Sequence, residues 1–206
     1  MKATDRSRAK TKQQPPFDIV AIAASAGGVF ALTEVLQKLP ADLPAIVVVV
    51  QHLDPRHRSL MPQIFGRRSN LPVYQALDGM EVVPGNVYLA PPDRHLLINR
   101  DGTVSLTQTE LVNFVRPSAD LLFESVAAAY GERAIAVVLT GAGKDGSMGV
   151  TAIKQRGGTV IVQDEATSEF FSMPSAAIKT GTVDFVLSLD EISPALVTLV
   201  GGEVPD

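Results

Sequence analysis

DIVAIAAS (18–25), AIVVVVQH (45–52) and AIAVVLTGAGKDGSMG (134–149) decide the fold. Each begins as a short, dense apolar run and stops at a polar residue or a glycine turn. Runs of this length, rich in Val, Ile and Ala and free of polar alternation, read as strands buried on both faces of a sheet. Gly27-Gly28 follows the first run and leads into a stretch near 28–38 with apolar residues at helical spacing. The same order recurs along the chain. A helix is expected near 58–67 and a strand near 71–77. A helix near 118–130 follows with Ser118 as its N-cap, and then the strand 134–141. After it come a helix near 147–156, a strand at 159–163, a helix near 174–180, a strand at 183–188 and a last helix near 190–200 capped by Asp190. Strands alternating with helices give an α/β fold, a doubly wound, mostly parallel sheet flanked by helices on both faces. The segment 78–110 breaks the rhythm. It is rich in Pro, Gly and turn pairs, and Asp101-Gly102 between HLLIN and TVSL signals a hairpin. It reads as an antiparallel hairpin insertion around 80–107.

In a doubly wound sheet the carboxyl ends of the strands share one edge, and ligand crevices open there. Ser25 and His52 close the first two runs, and Asp145 lies in the GAGKDG loop after the third. The topology can therefore gather a hydroxyl, an imidazole and a carboxylate, the parts of a serine hydrolase triad. Each also has a plain structural reading. Ser25 suits the N-cap of a tight strand-to-helix turn. His52 suits a rim histidine bonded to a loop carbonyl. Asp145 suits an Asx turn or cap ahead of the helix near Ser147. The small residues around Ser25 favour a sharp turn with an exposed hydroxyl, and Gly27 and Gly28 would let a substrate approach the backbone. Free N–H groups at the helix start could hold an oxyanion. Of the other histidines, His57 in DPRHR reads as solvated. His95 reads as a surface strand residue with a substrate contact left open.

A competing pattern occupies the same loop. Gly141-x-Gly143-x-x-Gly146 follows a strand, precedes a helix and has Asp164-Glu165 downstream, as in a dinucleotide site. It lies far from the first βα unit, where that fingerprint normally opens, and Lys144-Asp145 would put a carboxylate beside a pyrophosphate. A P-loop fails outright, with Val138 where its first glycine belongs and Asp145 after the lysine.

The 206 residues suit one domain, with 46% apolar and 19% charged residues. The net charge of −4 disfavours non-specific nucleic-acid binding. It is unevenly spread. Residues 1–16 hold five Lys or Arg and one acid, hence +4, which leaves −8 for the rest. They read as a flexible basic leader, 17–202 as the folded domain and 203–206 as a tail. With no cysteine in the chain, disulfides, thiolate catalysis and Cys-based zinc sites are excluded. No apolar run approaches the ~20 residues of a membrane span, and no signal-peptide pattern is visible. The expected compartment is the cytoplasm, without membrane insertion.

IAASAGG (22–28), VVVVQHL (47–53), PPDRHL (91–96), VRPSAD (115–120), VVLTGAGKDGSMG (137–149) and the stretch 157–192 closely resemble, in order, the catalytic domain of the CheB-type chemotaxis protein-glutamate methylesterases. The resemblance spans about 17–199. It implies Ser25 as nucleophile, His52 as base and Asp145 as the carboxylate that orients it. The implied reaction is hydrolysis of glutamate γ-methyl esters on chemotaxis-receptor helices, with glutamine deamidation as companion and no metal or organic cofactor. Ala26, Gly27 and Ala142 fall at the implied oxyanion side, and His95 and Arg116 near the implied substrate cleft. The family often has Gly, Thr and Met where this chain has Ala23, Ala26 and Ala142, so a different pocket is expected. Well-known members carry an N-terminal phospho-receiver domain, for which sixteen residues are too few, and some are fused to a methyltransferase. A dinucleotide-binding oxidoreductase, and a binding module of the same fold without turnover, remain as alternatives.

Overall fold

The computed structural model describes residues 17–52 and 59–201. The expectations for the leader, for His57 and for the tail lie outside them. The strands are β1 (Ile19–Ala24), β2 (Ile46–Gln51), β3 (Val73–Gln75), β4 (Val87–Leu89), β5 (His95–Ile98), β6 (Val104–Thr107), β7 (Ala134–Val138), β8 (Thr159–Gln163) and β9 (Phe185–Leu187). The helices are α1 (Gly28–Gln37), α2 (Met61–Gly66), α3 (Ala119–Tyr130), α4 (Ser147–Gln155), α5 (Ser172–Ile178) and α6 (Leu189–Leu199). Seven strands form one parallel sheet in the order β3-β4-β2-β1-β7-β8-β9, and β5 and β6 pair separately as an antiparallel hairpin. The chain winds outward from β1 through β2 to one edge, then returns to β7 on the other side of β1. That reversal is the switch point at which doubly wound sheets open a crevice.

Residue alternation along β1 explains the layers. Ile19, Ala21 and Ala23 face a core shared with Leu122 and Phe123 of α3, Val150 of α4, Ala177 of α5 and the hairpin residues Leu96 and Val104. Val20, Ile22 and Ala24 face the opposite core, with Leu32 and Val35 of α1, Phe65 of α2 and Leu196 of α6. Every residue of β1, β2 and β7 is buried, as parallel strands covered on both faces require. No described helix is long and apolar enough to cross a membrane.

Two local expectations need correction, and a third holds in position only. The segment 78–110 is not wholly antiparallel, because Val87–Leu89 enters the main sheet in parallel between β2 and β3. Three buried residues between Pro and Gly turns were too short a run to read. Asp190 does not cap α6; Ser188 does, in a capping box with Glu191. Ser118 sits at the N-cap of α3 but makes no capping bond to it, for a reason that belongs to the site.

A two-residue turn precedes α3. Val112 and Val115 exchange backbone hydrogen bonds of 3.2 and 3.0 Å, and Asn113 and Phe114 between them have φ of 51° and 66°. Tight turns of this hand favour Asn-Gly. Asn tolerates the left-handed region, whereas Phe pays about 1–2 kcal/mol to enter it. Phe114 is 93% exposed, so packing returns little of that cost. Phe114→Gly is therefore expected to raise stability by about 1 kcal/mol, read as a higher urea midpoint at unchanged m-value.

Candidate active site

Ser25 is the first residue after β1 and His52 the first after β2. Ala24 pairs with Gln51 in the β1–β2 register, so Ser25 and His52 are the next cross-strand neighbours. Backbone bonds fix both. The Ser25 N–H donates to the Thr140 carbonyl beyond β7 at 3.0 Å, and the His52 N–H donates to the Ala24 carbonyl at 3.1 Å. The Gln51 side-chain amide then clasps the pair, donating to the Ser25 carbonyl at 2.8 Å and the His52 carbonyl at 3.0 Å. This clasp explains the glycine pair differently from the sequence reading. A Cβ at Gly28 would lie 2.1 Å from Gln51 Oε1, and one at Gly27, which has φ of 74°, would lie 2.7 Å from Glu169 Oε2. The space that glycine leaves is filled by the protein's own side chains. Gly141 lies against the serine, where an added Cβ would be 2.9 Å from Ser25 Cβ.

Asp145 crosses to His52. The imidazole Nε2–H donates to Asp145 Oδ2 at 2.9 Å, which leaves Nδ1 as the lone-pair nitrogen. Asp145 also receives the Ala119 N–H at 2.6 Å and the Ser118 hydroxyl at 2.8 Å, and it is almost wholly buried. Burial pushes its pKa up. The His52 hydrogen bond, the Ala119 amide, the His52 charge and the Ser118 hydroxyl together outweigh burial and hold it below the ordinary value. The carboxylate is thus ionised at neutral pH, and Nε2 is the donor. The linkage has a definite sign. The unfolded chain binds more protons than the folded one between the depressed pKa and the unfolded value near about 3.9. Stability is accordingly expected to fall as pH drops below about 4. Asp145→Asn should flatten that part of a denaturant-midpoint-versus-pH curve.

Asp145 does more than face a histidine. It lies in the loop before α4, yet it receives the first N–H groups of α3, from Ala119 at 2.6 Å and Asp120 at 3.3 Å. Asp120, in the first turn of α3, returns the arrangement, receiving Met148 N–H at 3.0 Å and Gly149 N–H at 2.8 Å from the start of α4. The two helix N-termini meet, and each is capped by a carboxylate delivered by the other's segment. This is why Ser118 makes no cap of its own: its hydroxyl is spent on Asp145. Burial raises the Asp120 pKa against the pull of the Gly149 amide, and the Asp145 charge adds to the rise. Asn113 stands between the two acids, its Nδ2 donating to Asp120 Oδ2 at 2.7 Å and to Asp145 Oδ1 at 3.3 Å.

The same geometry argues against the dinucleotide pattern. A pyrophosphate would need the α4 N-terminus, where Asp120 already takes the Met148 and Gly149 amides. The His95 reading also needs correction. His95 does begin strand β5, but it is fully buried rather than on the surface. Its Nε2–H donates to the Glu110 carbonyl at 3.0 Å, and its Nδ1 accepts the Ser118 N–H at 3.1 Å, so both ring nitrogens are spent on backbone. Arg116 is engaged as well, donating to Asp93 Oδ1 from Nε at 2.9 Å and to the Thr109 carbonyl from Nη1. Its guanidinium ties the 91–94 turn to the segment leading into α3. Ala26 and Gly27 follow Ser25 directly at partial exposure, and Ala142 is exposed in the loop after β7. Among the described residues, the backbone N–H groups of these three have no acceptor. Asp120, Asn113 and Gln51 were not singled out from sequence. VRPSAD held Asp120 in plain view, but an acid in a first helical turn reads as a partner for its own helix.

The fold is a doubly wound α/β domain whose switch point sets the bonded His52 and Asp145 beside the end of β1 at Ser25. The chain belongs to the CheB methylesterase family, whose profile matches residues 20–196. It is 40% identical in sequence to the crystallised CheB methylesterase catalytic domain of Thermotoga maritima, with a TM-score of 0.86 over 89% of this chain and 99% of that one. A Moorella thermoacetica relative named protein-glutamate methylesterase/protein-glutamine glutaminase is 42% identical over 92% of this chain, which spans 46% of that relative. A Leptospira interrogans relative is 40% identical over 89% of this chain, and there the match spans 95% of the relative. The chain thus spans about half the length of some relatives and nearly all of another.

Proposed function

We propose that this chain hydrolyses glutamate γ-methyl esters, and deamidates glutamine, on the cytoplasmic helices of chemotaxis receptors. The observation that carries this reading is the 2.9 Å bond from His52 Nε2–H to an ionised, buried Asp145, one strand from Ser25. That bond fixes the tautomer and leaves Nδ1 as the basic nitrogen on the ring. In the proposed cycle His52 Nδ1 takes the Ser25 proton as Oγ attacks the ester carbonyl. Asp145 stabilises the imidazolium without accepting the proton. The backbone N–H groups of Ala26, Gly27 and Ala142 are the candidates to hold the oxyanion. The C–O bond to methoxide breaks, His52 returns its proton to give methanol, and an acyl-enzyme remains on Ser25. Water then attacks with His52 again as base, which frees glutamate and the serine. The residues fit this chemistry without a cofactor, and the reading places the enzyme in the cytoplasm, where the receptor helices lie. The test is methanol release from a methylated receptor cytoplasmic fragment. Release that depends on this chain supports the reading. No release from several such fragments by the folded protein, or tight NAD binding in a titration, contradicts it.

A further inference from the structure

We propose that Asn113 is a positioning residue of the site: its side-chain amide holds the two buried carboxylates, Asp120 and Asp145, in place and thereby sets the orientation in which Asp145 receives the His52 Nε2–H. The role assigned to His52 and Asp145 rests on the functional reading above. The geometry stands by itself.

Two carboxylates this close and this dry repel each other unless donors lie between them. Most of the donors around them belong to the helices. Ala119 and Asp120 N–H serve Asp145, while Met148 and Gly149 N–H serve Asp120. Asn113 Nδ2 alone among the described groups bonds to both acids, at 2.7 Å to Asp120 and 3.3 Å to Asp145, and it has one hydrogen for each. It reaches the Asp145 oxygen opposite the one bound to His52, so its pull bears on the twist of the carboxylate about its own axis. The other titratable groups facing the pair are His52, beyond the end of β2, and Glu124 one turn further along α3, whose pKa burial and then the Asp120 charge raise.

The residue type suits both demands of the position. The turn between Val112 and Val115 needs a left-handed residue, and Asn113 has φ of 51°. Asparagine enters that region with little strain and also supplies a short, rigid amide. The two backbone bonds of the turn pin the amide's origin, so its reach to both acids is set by the turn itself. No local sequence pattern distinguishes this role from that of a turn asparagine.

The test uses the whole chain with Asn113→Gly, which keeps the left-handed turn and deletes the amide, and Asn113→Asp, which keeps shape and turn but loses both donors. Three quantities are read: kcat and KM for methanol release, the pH–rate profile, and the carboxyl titration of Asp145 by ¹³C NMR in the free protein. Loss of a hydrogen bond to a charged group predicts a roughly ten- to hundredfold fall in kcat, with KM within about twofold. Removing a donor from an ionised carboxylate raises its pKa, so Asp145 should titrate higher in Asn113→Gly, and the loss of rate should grow as pH falls toward that titration. Asn113→Asp should be impaired at least as much. Native kcat, pH profile and Asp145 titration in either folded variant overturn the proposal. So does an equal loss at every pH without a titration shift, which would make the residue merely structural. If the unaltered chain releases no methanol, the functional reading has failed and the Asp145 titration alone decides: a shift in Asn113→Gly upholds the positioning role, and no shift overturns it.

Discussion

Ser25→Ala is expected to reduce methanol release by about a million-fold, the scale on which loss of a triad serine acts. Deleting one hydroxyl leaves the backbone of the site intact, because Ser25 is held there by main-chain atoms. Its N–H binds the Thr140 carbonyl, and its carbonyl receives Gly28 N–H at 2.9 Å and the Gln51 amide at 2.8 Å. Among the described residues the hydroxyl itself makes no hydrogen bond that folding would lose. Stability should therefore change by less than about 0.5 kcal/mol, as for a substitution away from caps, core and networks. The pairing of near-total loss of turnover with an unchanged unfolding midpoint distinguishes a nucleophile from a turn serine. A variant retaining more than about a thousandth of the native rate would mean that the oxyanion donors and substrate binding do most of the work.

Asp145→Asn is the second large effect, and it should strike activity and stability together. Retaining geometry but losing the carboxylate's control of the imidazole tautomer costs about 10⁴ in kcat. The structural loss arises because every group around Asp145 is a donor to it. Oδ2 receives Ala119 N–H and His52 Nε2–H, while Oδ1 receives the Ser118 hydroxyl, Asp120 N–H and the Asn113 amide. Either orientation of an asparagine amide sets an NH₂ group against donors. A buried helix start left with an unsatisfied N–H costs about 1–3 kcal/mol. Kinetics with a small methyl ester and a urea titration on the same preparation read both effects. An Asn variant as stable as the parent would contradict the reciprocal capping, and one as active would contradict the triad.

The residues that announced themselves in the sequence were those that end strands. Ser25, His52 and Asp145 follow runs whose apolar density marks buried parallel strands, and the topology of such sheets delivers strand ends to one edge. The meeting of His52 with Asp145 beside the Ser25 backbone could be argued before any coordinates; the Ser25 hydroxyl makes no hydrogen bond to either among the described residues. The carboxylate's support could not. Asp120 caps α4 from α3 and Asp145 caps α3 from the α4 loop, and such an exchange depends on how two helices meet rather than on either helix's own pattern. His95 was misread for a related reason. Its neighbours in the Pro-rich stretch look like an exposed hairpin, but the hairpin packs on α3, and the ring is consumed by the Glu110 carbonyl and the Ser118 amide. Strand β4 escaped because three residues give no period to count. Gly27 and Gly28 were recognised as necessary, but the reason lay in Glu169 and Gln51, which are distant in sequence and fill the space beside them.

The central claim is that Ser25 forms a covalent acyl-enzyme with the help of His52 and Asp145. Intact-protein and peptide mass spectrometry after reaction with a serine-directed fluorophosphonate tests it most directly. The account predicts one adduct, on the peptide containing Ser25, formed as activity is lost and strongly slowed by Asp145→Asn. Full inactivation with the adduct elsewhere, or an unlabelled Ser25 in a chain that still releases methanol, would contradict it.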